Sequence, residues 1–409
     1  MNDHSDQEYL IALGRKSYAP NYRPRDVVFE SGKGCELTDV SGKKYLDFGS
    51  GIGVNCLGHQ HPSVVGAVQR QSARLWHSSN VYFNHPAVRL AARFIELTFA
   101  ERVFFCNSGA EANEAAIKVA RRYSYERGYP NKNIIITLQG SFHGRTLATV
   151  TATAQPKYQE GFGPLPAGFQ YCNFNDIDHL RSLFTENVCA LMLEPIQGEG
   201  GIRPVSDEFL KSAAELCQAN DALLIADEIQ SGMGRTGKLF AHQWVSNIRP
   251  DIVTVAKALG AGLPIGAVLL GDKTDQTLQV GSHGSTFGGN PIACAVANVV
   301  LDTLHTGNLL DEIVRKGELI CHGLKVINDK TEAFCDIRNR GMMIGAELSD
   351  KYAGKAGRIL KESLEKGLLI LQAGDNVVRL LPAYTISDAE IQTGLVRLQQ
   401  AIERSLSDD

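Results

Sequence analysis

Six short apolar runs mark the middle of the chain: Val103–Cys106, Asn133–Leu138, Val188–Leu193, Ala222–Ala226, Ile252–Ala256 and Ile265–Leu270. Four to six residues make a strand more readily than a helix. Their apolarity is continuous rather than alternating, which marks strands covered on both faces, as in parallel sheets flanked by helices. Stretches with helical spacing, such as Glu111–Arg127 and Asp207–Asn220, lie between them. The pattern predicts an α/β core built on a mostly parallel sheet.

The ends read differently. The first 60 residues are rich in turns (GKG, SGKK, GSGIG), and the last hundred alternate helices with short strands. The helices are expected at Leu309–Ile327, Tyr352–Lys366 and Ser387–Leu406, and the strands at Gly341–Leu348 and Val377–Leu381. The expected organisation is an N-terminal arm and part of a small domain at 1–60, a large domain at 61–307, and the rest of a small α+β domain at 308–409. No repeat or low-complexity linker divides the chain.

Forty-one Lys and Arg against 45 Asp and Glu give a net charge of −4. That balance offers no bulk reason to bind nucleic acid or an acidic membrane face. Residues 276–301 lack charged side chains but carry Gly, Ser, His, Asn and Pro, so no membrane span is expected. The opening MNDHSDQEYL is acidic, unlike a signal peptide. The nine cysteines form no C-x-x-C pair, and several sit in apolar runs, so a reducing cytoplasm is expected. The histidines show no ligand spacing. His59 and His61 in GHQHP read as a turn, and no metal is expected.

Glycine is in excess, 40 of 409 residues against roughly 7% on average, and the excess clusters beside chemistry-bearing residues. In CNSGAEANEAAIK, a strand ends at Cys106 and a helix begins after Asn107-Ser108-Gly109. Such a helix start offers unpaired N–H groups to an anion, although taken alone the motif is more readily explained as a plain N-cap at Asn107 or Ser108. In ALLIADEIQSGMGRTG, Asp227 and Glu228 follow a buried strand, where open α/β sheets place ligands; a helix-capping acid is the alternative. In DIVTVAKALGAG, Lys257 directly follows an apolar strand. Desolvation there lowers an amine toward neutrality and frees it to attack an aldehyde, while a snorkelling surface lysine is the plain alternative. Together the three are the set that pyridoxal phosphate requires: a phosphate site, a carboxylate for the pyridine nitrogen and a lysine for the aldehyde.

Further motifs supply ligand-facing side chains. GSFHGRT carries Phe142 for ring stacking and Arg145 as a carboxylate clamp. LMLEPIQGEGG carries Glu194 and Glu199, and GSHGSTFGGNP offers the hydroxyls of Ser285 and Thr286. Arg379 lies in the apolar run NVVRLLP and needs a carboxylate partner if buried, with Glu199 one candidate.

Over nearly its whole length, the chain resembles the class III pyridoxal-phosphate-dependent aminotransferases of fold type I. NSGAEANEAAIK, FHGRT, EPIQGEGG, DEIQSGMGRTG, AKALGAGLPIGA and TFGGNP carry the resemblance. Within the class it is most similar to acetylornithine aminotransferases, with succinylornithine aminotransferases close by. The resemblance implies that Lys257 bonds the cofactor's aldehyde, Asp227 pairs with the pyridine nitrogen, Gln230 reaches the 3′-oxygen and Phe142 stacks on the ring. Ser108, Gly109 and Ala110 would hold the phosphate, helped by Thr286 from the neighbouring subunit of a homodimer. Arg145 would grip a substrate α-carboxylate, with Ser285 lining that end. Glu199 and Arg379 resemble a pair that opens for glutamate or 2-oxoglutarate. Tyr22 in NYRP resembles a position of ornithine aminotransferases, while the rest of that arm departs from the acylornithine enzymes.

The expected reaction moves the terminal amino group of an N²-acylated ornithine to 2-oxoglutarate. The acetyl donor is expected, with succinylornithine, ornithine and succinyl-diaminopimelate as alternatives. A decarboxylase or aminomutase would keep the cofactor and change the chemistry, and a non-catalytic binding relative is a third reading. Two carboxylate clamps favour two alternating substrates. Lys257 and Asp227 together favour catalysis.

Overall fold

The computed structural model describes residues 6–406. Its centre is a seven-stranded sheet. In spatial order the strands are Arg102–Cys106, Gly266–Leu270, Ile252–Val255, Leu223–Asp227, Val188–Leu193, Ile134–Leu138 and Phe169–Cys172. All run the same way except Gly266–Leu270, which is antiparallel to both neighbours. All six apolar runs are therefore strands of one mostly parallel sheet, with one strand reversed. Phe169–Cys172 was not anticipated; it is a half-buried edge strand with no strong apolar signal.

Alternate residues of the buried strands feed opposite faces. Ala190, Met192, Leu223 and Ile225 pack against the helix Gly109–Glu126, while Leu191, Leu193 and Leu224 pack with Phe209, Leu210 and Ala213 of the helix Asp207–Ala219. The stripe Ala112, Ala115, Ala116 and Ala120 is fully buried, and small side chains there let the first helix lie close on the sheet. Ser108 and Ser206 cap the two helices, each accepting from a backbone N–H three residues on.

Both ends of the chain meet beside this sheet. Phe29–Lys33, Glu36–Asp39 and Lys44–Asp47 form an antiparallel set completed by Leu368–Leu369, which runs parallel to Lys44–Asp47. A second four-stranded sheet joins Phe334–Arg340, Met343–Leu348, Val377–Leu380 and Leu371–Ala373. The helices Leu309–Thr331 and Asp388–Leu406 supply Leu324, Ile327, Leu398 and Ile402 to a core shared with Phe48, Phe94, Val253 and Leu269. Among the described residues, no helix is long and apolar enough to cross a membrane.

Candidate active site

Four parallel strands and the outermost strand Arg102–Cys106 end at one edge of the central sheet, and each delivers a residue to the same cavity of about 460 Å³. Ser108 follows Cys106, Phe142 follows Leu138, Glu194 follows Leu193, Asp227 ends its strand, and Lys257 follows Val255. This is the carboxyl-terminal crevice where open α/β sheets bind ligands.

The amine of Lys257 opens on the cavity. Desolvation by the surrounding protein holds it below its usual value, and Arg379 pushes the same way against Glu199, Glu194 and Asp227. Its φ of 43° is unusual for a residue with a side chain, a strain of about 1–3 kcal/mol that the surroundings must hold in place.

Asp227 is buried, at 3% exposure. A buried carboxylate is tolerable only with hydrogen bonds, and three meet it. Asn113 Nδ2 donates to Oδ2 at 2.7 Å, His143 Nδ1 lies 2.8 Å from the same oxygen, and the Ile229 N–H donates to Oδ1 at 3.1 Å. Asn113 Nδ2 also donates to the His143 carbonyl at 2.7 Å. Glu228 takes another course. Its carboxylate accepts from Ser231 Oγ and from the Ala241 and His242 N–H groups, and does not line the cavity. It holds the loop after the strand, so an equal claim of the two adjacent acids on the site is set aside.

Ser108, Gly109 and Ala110 also line the cavity, at the start of the helix Gly109–Glu126. The Ser108 hydroxyl accepts from the Glu111 N–H at 3.2 Å, which leaves its proton available to an anion. Beside them, Gly144 has φ 139°, and a Cβ there would lie 2.5 Å from Thr149 Oγ1 and 3.0 Å from Ala110 Cβ. Only glycine fits that approach.

Glu194 bridges two loops. Its carboxylate accepts from the Phe142 N–H at 2.8 Å and the Gly198 N–H at 3.1 Å. Burial pushes it up to about 7, reinforced by Asp227 and opposed by His143 and the two N–H donors.

Arg379 is 3% exposed and its Nη1 donates to Glu199 Oε1 at 2.6 Å. Nη1 also reaches Gln230 Oε1 at 3.4 Å. Burial alone would raise the Glu199 carboxyl, yet Arg379, Lys257 and Gln230 hold it below its usual range.

Not every expected residue lines the cavity. Glu199 and Arg379 stand behind Gln230, which does. The Ser285 hydroxyl accepts from Asn107 Nδ2 at 3.1 Å and from the Gly288 N–H at 3.0 Å, so it braces the cavity wall at Asn107. Thr286 is exposed and outside the lining of this single chain. Tyr22 is 80% exposed and also outside it. His59 lies 2.9 Å from Asp47 Oδ2 through Nε2, consistent with a turn-stabilising role.

The sequence reading assigned nothing to Asn113 or His143. A signal existed for the first, a lone amide among the small and apolar residues buried along its helix. These residues fit pyridoxal phosphate: the start of a helix, a desolvated amine and a hydrogen-bonded buried carboxylate line one cavity. His143 Nε2 is buried without a hydrogen-bond partner among the described residues, consistent with a site completed by a bound group.

A model of the family "Aminotransferase class-III" matches residues 17–402. The acetylornithine aminotransferase of Xanthomonas axonopodis pv. citri (strain 306) is 52% identical over 387 residues, covering 94% of this chain and 95% of that protein. Among solved structures, the N-acetylornithine aminotransferase of Stenotrophomonas maltophilia K279a matches with a TM-score of 0.86 and 43% identity, covering 98% of this chain and all of that one. The ornithine aminotransferase of Toxoplasma gondii ME49 matches with a TM-score of 0.93 and 33% identity, covering 97% and 95%.

Proposed function

We propose that this chain, which belongs to the class III aminotransferase family, transfers the terminal amino group of N²-acetylornithine to 2-oxoglutarate. The products are N-acetylglutamate 5-semialdehyde and glutamate. The observation that carries this reading is the pairing of two guanidinium groups near one desolvated lysine. Arg145 lines the cavity, and Arg379 is neutralised by Glu199 behind Gln230. Two clamps, one of them gated, suit two substrates that take turns in one site. The acetyl donor is supported by the names of the relatives at 52% and 43% identity.

Class III aminotransferases use pyridoxal phosphate, whose aldehyde takes up an amino group and whose pyridinium ring drains electrons from the carbon that loses a proton. In this reading Ser108, Gly109 and Ala110 bind the phosphate through helix-start N–H groups. Asp227, oriented by Asn113 and His143, holds a proton on the pyridine nitrogen. Phe142 would stack on the ring and Gln230 would reach the 3′-oxygen, both from the lining of the cavity. Lys257 Nζ would hold the cofactor through its aldehyde and would serve as the base for the proton of the donor's terminal CH₂. Arg145 orients the donor through its α-carboxylate, helped at that end of the site by Ser285. Arg379 serves the glutamate side once Glu199 moves away.

The active unit in this proposal is a homodimer in which Thr286 reaches the neighbouring subunit's phosphate site. Val81, Tyr82, Phe83 and Phe287 are all more than half exposed. Asn80 Nδ2 donates to the Ser285 carbonyl, tying these stretches together, and a contiguous apolar surface of that kind supports a protein interface. Eight of the nine cysteines are buried as free thiols, which supports a cytoplasmic setting. The proposed division is 1–60 and 308–409 around a large domain at 61–307, supported by the pairing of Leu46 with Leu368.

The test is kcat/KM for four donors, N²-acetylornithine, N²-succinylornithine, ornithine and N-succinyl-diaminopimelate, with 2-oxoglutarate as acceptor. The acetyl donor should lead. Preference for free ornithine, or no transfer from any of them, would overturn the assignment.

A further inference from the structure

Arg145 differs from Arg379 in how it is held. Among the described residues no carboxylate pairs with it, whereas Arg379 is paired with Glu199. Its contacts are aromatic. The Arg145 guanidinium carbon lies 4.0 Å from the Tyr158 ring centroid and 5.4 Å from that of Phe142. The two rings meet edge to face, with centroids 5.8 Å apart and planes at 83°.

Tyr158 is itself fixed to the loop that carries Phe142 and Arg145. It closes the turn Pro156–Tyr158. On one side of it, Gln155 Nε2 donates to the Gly140 and Ser141 carbonyls at 3.2 and 2.9 Å. On the other, Gln159 Nε2 donates to the Thr153 carbonyl at 2.9 Å. The ring is thus a built platform, half-buried and tethered at both ends.

We infer that Tyr158 is a positioning residue whose ring holds the Arg145 guanidinium in place to receive a substrate carboxylate. A guanidinium stacked on an aromatic face keeps its N–H groups in its own plane, free for a bidentate carboxylate. Lacking an acidic partner, the long side chain would otherwise sample solvent-facing rotamers, and each binding event would have to reorder it. The same stack links the carboxylate clamp to Phe142, so the donor's anchor and the wall of the cofactor site share one aromatic support. This inference rests on Arg145 being the clamp in the function proposed above.

The test uses holoenzyme and a matched pair of donors, N²-acetylornithine and N-acetyl-1,4-diaminobutane, which is the same molecule without its α-carboxylate. Single-turnover absorbance gives the apparent dissociation constant and maximal rate for each donor, and calorimetry gives the affinity for glutarate, an unreactive dicarboxylate. Tyr158→Leu keeps bulk but removes the π face. It should weaken acetylornithine and glutarate binding roughly tenfold, within the range of a cation–π contact. The maximal rate should stay within about twofold and the decarboxylated donor should be unaffected. Tyr158→Phe should restore wild-type values. Equal weakening of both donors, no weakening, or failure of phenylalanine to rescue would each overturn the inference. Arg145→Ala separates the two layers. If it abolishes the preference for the carboxylate while Tyr158→Leu does not, only the platform falls. If Arg145→Ala leaves the preference intact, the clamp assignment falls, and the platform with it.

Discussion

Arg379 Nη1 and Glu199 Oε1 lie 2.6 Å apart, joining residues 180 positions apart in the chain. The pair is unequal in burial: the arginine side chain is 3% exposed and the glutamate side chain 25%. Glu199 therefore has a route toward solvent that Arg379 lacks, and the carboxylate is the partner able to move. Opening the pair leaves a buried cation, which a substrate carboxylate can satisfy.

Glu199→Ala should act differently on the two half-reactions. The half-reaction with acetylornithine should slow, because Arg379 then stands as an unpaired buried charge with no second carboxylate on the donor to meet it. The half-reaction with 2-oxoglutarate should hold or improve. Single-turnover absorbance changes measure each half, and equal slowing of both would exclude a switch.

Lys257→Ala should reduce turnover at least a thousandfold while the chain still folds. After borohydride treatment and denaturation, the wild type should retain cofactor and the variant should not. Because Lys257 adopts φ 43°, Lys257→Gly should be more stable than Lys257→Ala by about 1 kcal/mol. Denaturant unfolding of the two variants checks this, and equal midpoints would show that the backbone there is relaxed.

Asp227→Asn should retain cofactor but raise the barrier by several kcal/mol, as expected when a preorganised electrostatic partner is removed. Steady-state kinetics at saturating substrate provide the measure. A loss below tenfold would assign the ring proton elsewhere. His143→Ala should give a smaller loss of the same kind, since it removes only one of the three hydrogen bonds that fix Asp227.

Glu194 gives a pH dependence with a definite sign. Its carboxyl is raised from 4.5 to about 7 in the folded protein without cofactor. The native state then binds a proton that the unfolded state releases, so this group's contribution to stability falls as pH rises from about 4.5 to 7. The loss is about 3 kcal/mol across that window. Glu194→Gln should remove that slope. Melting temperatures of the two cofactor-free proteins should therefore diverge in the variant's favour as pH rises, and a gap independent of pH would refute the assignment.

Continuous apolar runs ending in Ser108, Asp227 and Lys257 made one edge of the sheet readable in advance, because such strands point their ends at a common crevice. Strand direction was less legible, since an apolar run reads alike both ways. The reversed strand Gly266–Leu270 did leave a trace. Ten residues, 256–265, separate it from Ile252–Val255, short for a parallel crossover. Asp227 was preferred to Glu228 only through the resemblance, because the partners that turn Glu228 away, Ser231 Oγ and the Ala241 and His242 N–H groups, lie in the loop beyond the strand. The partners of Asp227 come from 114 and 84 residues away, and no local spacing encodes such contacts. Tyr158 lay outside every motif for a similar reason: its role is spatial, set by the glutamines on either side.

The strand Leu368–Leu369 completes a sheet whose other three members lie within the first fifty residues. Synthesis runs from the N-terminus, so those three strands leave the ribosome long before their fourth partner exists. Until then, the side of Lys44–Asp47 that Leu368–Leu369 will pair with is an open edge, exposed to pairing with other chains. That sheet can close only after residues 368 and 369 have been made, which makes a late segment a checkpoint for an early one. A chain cut before residue 368 would keep the cavity residues up to Lys257 but leave the edge of Lys44–Asp47 unpaired, a product suited to degradation rather than partial activity.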